Sequence, residues 1–114
     1  MKPVFTLNDG SAEFPNGLVR RNYSQHHVHI GSLADLKATL RAGRFTDVGG
    51  YPLMLICSDG SVYSFEGVLA NWREVLSDFM QGWGPKVTGC AINYENADLV
   101  CDLTEEPIAS AYGD

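Results

Sequence analysis

The stretch GGYPLMLICSDGSVY, residues 49–63, decides the fold because it joins an apolar run to a tight-turn signal. The run PLMLIC has the length of a strand, and the Asp59–Gly60 pair after it suits a type I′ turn. The residues SVY can then return antiparallel to the run. The stretch therefore predicts a β-hairpin, and its apolar run is expected at the centre of a sheet.

The segment after this hairpin, SFEGVLANWREVLSDFMQG at 64–82, predicts one long amphipathic helix. Ser64 can cap its start, and Gly82 marks its end. Apolar residues recur between them at helical spacing, namely Phe65, Val68, Leu69, Trp72, Val75, Leu76, Phe79 and Met80. We expect this stripe to cover the sheet, with its aromatic side chains in the core.

A shorter helix is predicted before the hairpin by SLADLKATLRAG, residues 32–43. Ser32 can cap it, Asp35 stands three residues further on, and Gly43 ends it. Leu33, Leu36 and Leu40 share one face of this helix.

Strand signals complete the pattern on either side. The segment VFTL predicts a first strand at 4–7, followed by the turn-rich stretch 8–17, and KVTGCAINY predicts a strand at 86–94. We predict an α+β fold, with a mainly antiparallel sheet and two amphipathic helices packed on one face. The chain of 114 residues is expected to form a single domain over 1–114.

Cysteine use and hydropathy indicate the expected compartment. Cys57, Cys90 and Cys101 are odd in number, and their spacing matches neither a disulfide framework nor paired zinc ligands. They are expected to be reduced thiols. No apolar run reaches signal-peptide length or the roughly 20 residues that span a bilayer. We therefore expect a cytoplasmic protein without membrane association.

The charge of the chain is unevenly distributed. The net charge is −6, yet residues 1–50 carry six bases and four acids, whereas residues 51–114 carry two bases and ten acids. No base follows Lys86. A surface of this sign repels nucleic-acid phosphates and attracts basic protein surfaces, and it also keeps a small protein soluble.

The histidines and nucleophiles give weak signals for chemistry. His27 and His29 would point to one face of a strand if HVHI, residues 27–30, pairs in a sheet, but further metal ligands at suitable spacing are missing. The serines lack a GxSxG elbow, and the cysteines lie in stretches that favour packing. We therefore predict no enzyme, no cofactor and no metal.

A second functional reading uses the basic face of the first helix. Lys37, Arg41 and Arg44 could contact nucleic-acid phosphates. The pI of about 4.8 and the lack of aromatics interleaved on a basic strand oppose that reading. We therefore expect no direct nucleic-acid binding.

The GGYPL hairpin, the helix after it, the hydrophobic strand and the SAYGD ending together resemble a family of small proteins from bacteriophages and other mobile elements. The resemblance covers residues 28–114. It implies one CxxC pair at the start of the helix after the hairpin and a second before the SAY ending, forming a zinc knuckle. Here the first pair is replaced by Ser64 and Gly67, and the second by Cys101 and Thr104. The resemblance thus implies a knuckle that has lost its metal.

The chain is also similar in size and charge to anti-CRISPR proteins, many of which cover the nucleic-acid-binding surface of a partner. That similarity implies a phage or mobile-element protein that inhibits a host defence complex, with a CRISPR-type effector as the expected partner. The expected contacts are acidic and aromatic residues near the end of the chain, namely Tyr94, Glu95, Asp98, Asp102, Glu105, Glu106 and Tyr112.

Overall fold

The computed structural model describes residues 5–6, 11–21, 23–46, 49–82 and 84–111. It has an α+β architecture, which confirms the fold class, and every strand pairing within its sheets is antiparallel. There are two three-stranded sheets and three helices among these residues. The sequence had predicted one sheet and two helices.

The first sheet lies near the start of the chain. Its strands are β1 (Phe5–Thr6), β2 (Ala12–Glu13) and β3 (Val19–Arg20), paired in that order. Strand β1 lies within the predicted first strand. Strand β2 lies inside the stretch that was predicted as turn, because a two-residue strand is too short to produce an alternating pattern.

The second sheet is built on the predicted hairpin. Strands β4 (Leu53–Cys57) and β5 (Val62–Tyr63) pair antiparallel, and β6 (Val87–Ile92) pairs with the other edge of β4. The order β5-β4-β6 confirms that the apolar run is central. Leu53, Leu55 and Cys57 are buried in alternation along β4, as a strand with one face toward a core requires.

Residues 28–30 extend this sheet beyond β6. The N–H of Ile30 donates to the carbonyl of Thr88 at 2.9 Å, and the N–H of Cys90 donates to that of Val28 at 3.1 Å. A bridge between His29 and Gly89 lies between these bonds. The prediction that HVHI can pair in a sheet is therefore confirmed at this bridge.

The first helix, α1 (Leu33–Ala42), begins and ends as its sequence predicts. The Ser32 side chain accepts a hydrogen bond from the N–H of Asp35, and the N–H of Gly43 donates to the carbonyl of Leu40. Leu36 is fully buried, whereas Lys37 and Arg41 are exposed. The apolar face of α1 therefore joins the core.

The predicted long helix is instead two helices, α2 (Phe65–Ala70) and α3 (Trp72–Gln81). The break lies at Asn71, whose φ and ψ are −117° and 35°. The Asn71 side chain and backbone both donate to the carbonyl of Gly67 at 3.0 Å, so this asparagine closes α2 with its own side-chain bond.

The break changes which residues of the predicted stripe are buried. Phe65 and Phe79 are core residues as predicted, but Trp72 is half-buried. Leu69 is 59% exposed and Met80 is 63% exposed, so their placement on the buried stripe was wrong. A helical repeat counted through one continuous helix does not apply across the interruption at Asn71.

One core cluster joins the second sheet to all three helices. It includes Leu55 from β4, Leu36 from α1, Val68 from α2 and Phe79 from α3. Within the described ranges, no helix combines the length and apolar character needed to cross a bilayer.

Candidate functional site

The predicted acidic contacts lie on a hydrogen-bonded segment, residues 93–111, which we call the C-terminal hairpin. The N–H of Ile108 donates to the carbonyl of Leu99 at 2.9 Å, and that of Cys101 donates to the carbonyl of Glu106 at 2.8 Å. A bridge pairs Val100 with Pro107. These contacts fix the two arms of the hairpin against each other.

A buried asparagine closes the base of the C-terminal hairpin. The side-chain amide of Asn93 donates to the carbonyls of Asn96 and Ala109, both at 3.0 Å, and its oxygen accepts from the N–H of Asn96. The carbonyl of Asn93 also accepts from the N–H of Ala111. No pattern in the sequence marks Asn93 for this role, although asparagine side chains commonly bond to nearby backbone groups in turns.

All five predicted acidic contacts are exposed in this hairpin. Glu95 and Asp98 lie in its first loop, whereas Asp102, Glu105 and Glu106 lie in the turn that joins its arms. The sequence places no lysine or arginine in the hairpin. Carboxylates held on an ordered backbone with no cation between them form a surface of one sign.

Asp102 also has a structural contact that the sequence did not reveal. Its carboxylate accepts a hydrogen bond from the N–H of Val62 at 2.7 Å, and its own N–H donates to the carbonyl of Val62 at 2.8 Å. Asp102 therefore joins the hairpin to β5. The Asp102 carboxylate is exposed, but one of its oxygens already accepts a hydrogen bond from the protein itself.

Of the two tyrosines that were predicted as partner contacts, only Tyr94 lies among the described residues. Tyr94 is 52% exposed, and the centre of its ring lies 6.0 Å from that of Tyr51. The Tyr94 side chain is therefore half-exposed at the edge of the hairpin. Tyr112 lies outside the described residues.

The four positions that the family resemblance assigns to a metal knuckle meet in space. The sulfur of Cys101 accepts from the N–H of Ser64 at 3.2 Å, and the Ser64 hydroxyl oxygen accepts from the N–H of Gly67 at 2.9 Å. A Cβ added to Gly67 would lie 2.9 Å from the Cys101 sulfur and 3.2 Å from the Thr104 methyl carbon. These four residues, called the Cys101 cluster below, join the start of α2 to the turn of the hairpin.

The three cysteines are free and buried, but their thiols differ. Burial, with the charge of Asp59, raises the pKa of Cys57 to about 12, and burial raises the pKa of Cys90 to about 11. At Cys101 burial acts in the same direction, yet hydrogen bonds from Ser64, Thr104 and the Leu103 backbone hold the pKa below its ordinary value. Cys101 is thus a packed thiol with polar partners.

The Cys101 cluster does not fit a zinc ion. A structural zinc site takes four thiolate or imidazole ligands, whereas this cluster offers one thiol, two hydroxyls and a glycine. Its hydroxyl groups already bond the thiol and the backbone. Among the described residues, no group of three or more His, Cys, Asp or Glu side chains is arranged to hold a metal ion.

Two of the three basic residues that the nucleic-acid-binding hypothesis invokes contact other residues of the protein. The Arg41 Nε donates to the carbonyl of Tyr23 at 2.7 Å, and its guanidinium lies 4.0 Å from the centre of the Tyr23 ring. Arg44 forms an ion pair with Glu66 and lies over the Phe45 ring. Lys37 is exposed.

His27 and His29, which a strand would place on one face, differ in their exposure. His29 is exposed beside β6, whereas His27 is half-buried, with its Nδ1 3.8 Å from a carboxylate oxygen of Asp35. The Nε2 of His27 is buried without a hydrogen-bond partner. His26 and His27 line an apolar groove of about 370 Å³ beside β6.

Comparisons of this chain with protein-family models, with curated proteins and with solved structures found no match.

Proposed function

We propose that this protein is a stoichiometric binding protein that covers a basic surface of a partner with the C-terminal hairpin. The observation that carries the proposal is the set of five exposed carboxylates on a hydrogen-bonded hairpin without a cation. Charge of one sign steers association with a surface of opposite sign and raises the association rate.

The hydrogen bonds within the C-terminal hairpin also support this proposal. The bonds between its arms and the Asn93 side chain fix the backbone of the acidic residues before a partner arrives. A preorganised surface loses less conformational entropy on binding than a disordered acidic tail would. Tyr94, at the edge of the same hairpin, supplies an exposed aromatic ring next to the charges.

The partner class that fits this surface is a protein that holds nucleic acid. Lysine and arginine side chains that bind phosphates also bind carboxylates, so an acidic hairpin competes with the nucleic acid for them. Together with the resemblance to mobile-element proteins, this chemistry supports a host defence complex of the CRISPR-effector type as the target. The proposal therefore describes an anti-CRISPR-like inhibitor acting in the bacterial cytoplasm.

The first experiment identifies the partner and tests competition. The tagged protein is used to capture complexes from lysate of the bacterial host, and the bound proteins are identified by mass spectrometry. We expect a nucleic-acid-binding complex that short duplex DNA displaces and that higher salt weakens. A captured complex that still binds its nucleic acid fully while holding the protein would contradict the proposal.

The second experiment assigns the contact to the hairpin. The pair Glu105→Gln and Glu106→Gln removes two hairpin charges, and the matched pair Glu13→Gln and Glu74→Gln removes two charges elsewhere. We expect the hairpin pair to weaken binding to the identified partner about tenfold, and the control pair to change it less than about threefold. Equal effects of the two pairs would sink the assignment.

A gel-shift experiment separates this function from nucleic-acid binding. We expect no shift of short duplex or single-stranded DNA at micromolar protein and low salt, because the net charge of −6 and the acidic hairpin repel phosphates. A shift that Lys37→Glu abolishes would instead support the basic-face reading.

A further inference from the structure

A second surface, separate from the C-terminal hairpin, lies where α1 meets the junction of α2 and α3. It is a groove of about 390 Å³, which we call the interhelical groove. It is lined by Lys37, Leu40, Arg41, Leu69 and Trp72. None of these five residues is acidic, although the chain as a whole carries a net charge of −6.

The apolar floor of the groove lies on both sides of the helix break at Asn71. Leu69 lies in the last turn of α2 and is 59% exposed, and Trp72 begins α3 and is only half-buried. Trp72 packs against the core, so its ring is held in place while it lines the groove. Tryptophan and arginine, which both line this groove, are enriched among the few residues that supply most of the energy of a protein interface.

The cations beside the groove determine the charge of what can bind there. Lys37 is exposed on α1, one turn before Arg41. The guanidinium of Arg41 is held by its 2.7 Å bond to the Tyr23 carbonyl and by the Tyr23 ring. An arginine that is already oriented loses little side-chain entropy when it binds a carboxylate.

We propose that the interhelical groove binds an acidic amphipathic helix of a partner protein. Apolar side chains of that helix would pack on Leu40, Leu69 and Trp72, and its flanking carboxylates would pair with Lys37 and Arg41. The groove is opposite in sign to the C-terminal hairpin. The two surfaces therefore select different partner segments, and this inference does not depend on the proposed function of the hairpin.

The binding test uses a defined probe. A fluorescein-labelled peptide of about four helical turns carries leucines at i, i+3, i+4 and i+7 and glutamates at its other positions. A control peptide has lysines in place of the glutamates. Fluorescence anisotropy should show saturable binding of the acidic peptide, weakened by salt, and at least about tenfold weaker binding of the basic peptide. Absent or equal binding of the two peptides would overturn the proposal.

Variants of the protein locate the bound peptide. Leu69→Asp and Lys37→Glu should each weaken binding about tenfold, because one removes apolar contact and the other reverses a charge. Met80→Asp is the matched control, since Met80 is an exposed apolar residue of α3 that does not line the groove. Circular dichroism should show native helix content in all three variants.

Two results would contradict this location. One is a loss of binding with Met80→Asp as large as that with Leu69→Asp. The other is self-association of the protein, measured by sedimentation velocity and abolished by Leu69→Asp, because a second copy would then occupy the groove.

Discussion

The sulfur of Cys101 accepts a hydrogen bond from the backbone N–H of Ser64 across 3.2 Å, and this contact joins the C-terminal hairpin to the start of α2. The two residues are separated by 37 positions in the chain, and both are buried. Gly67 lies over the same sulfur, and a Cβ added to it would be 2.9 Å from that sulfur. This cluster therefore joins the acidic hairpin to the core, beside the bonds between Asp102 and Val62.

Removing the Cys101 sulfur should destabilise the protein more than removing another buried sulfur. Cys101→Ala leaves the buried N–H of Ser64 without its partner, which costs about 1–3 kcal/mol beyond the lost packing. Cys90→Ala is the matched control, because Cys90 is equally buried and its N–H bond to Val28 is a backbone bond. Urea unfolding should give the lower midpoint for Cys101→Ala. Equal midpoints would show that the sulfur contributes packing alone.

A side chain at Gly67 should conflict with Cys101. Alanine favours a helix over glycine by about 1 kcal/mol, but a Cβ here would lie 2.9 Å from both the Cys101 sulfur and the Ser64 hydroxyl oxygen. We therefore expect Gly67→Ala to lower the free energy of unfolding. A double-mutant cycle with Cys101→Ala measures the conflict, and the loss should be smaller in that background. An unchanged loss would contradict the proximity.

Three cysteines introduced at the other cluster positions should create a metal site. Ser64→Cys, Gly67→Cys and Thr104→Cys, together with Cys101, supply four thiolates at positions that already converge. We expect the triple variant to bind Co²⁺ with a thiolate charge-transfer band, to prefer Zn²⁺ and to melt at a higher temperature when loaded.

The control for this metal site is the same triple variant with Cys101→Ala, which should lose most of the affinity. Absence of the cobalt band in the triple variant would indicate that the backbone around Gly67 cannot shift enough to admit the sulfur.

Glu105 stands in a backbone conformation that favours other residues. Its φ is 63°, in the left-handed region that costs most residues about 1–2 kcal/mol and that asparagine tolerates better. Glu105→Asn should therefore raise the free energy of unfolding by about 0.5–1 kcal/mol. Glu106→Asn removes the same charge one residue later and is the control. A gain in both variants would point to relief of charge repulsion instead.

The free energy of unfolding should decrease at alkaline pH. Burial raises the pKa of Cys90 to about 11. Burial and the nearby charge of Asp59 raise the pKa of Cys57 and that of Tyr63 to about 12 each. The folded state therefore holds these protons more tightly than the unfolded chain, and the resulting stability is lost as pH rises from 9 through the folded pKa values. The lowered pKa of Cys101 acts in the opposite direction.

Urea unfolding at a series of pH values checks this sign. The midpoint should decline between pH 9 and 11. Cys90→Ala should make that decline shallower, because one of the groups with a raised pKa has been removed. A midpoint that is constant or rises over this range would contradict the expected linkage.

Local sequence signals predicted the central elements of the fold. The continuous apolar run of β4 and the turn after it specified the hairpin, and the capping serines and terminal glycines specified the starts of α1 and α2 and the end of α3. These signals are sufficient because they act between residues close in the chain. The exposure of the acidic side chains was also predicted, since an unpaired carboxylate is rarely buried.

Tertiary structure decided the rest through contacts between distant residues. The side chain of Asn71 bonds the end of α2, where the periodicity predicts one continuous helix, and Leu69 beside that break lies at the surface. Asp102 became a partner of β5 40 residues earlier in the chain. The sequence by itself determined the elements, the capping residues and the sign of the hairpin surface. Only the fold brought Ser64, Gly67, Cys101 and Thr104 together, because no local pattern encodes a contact across 37 residues.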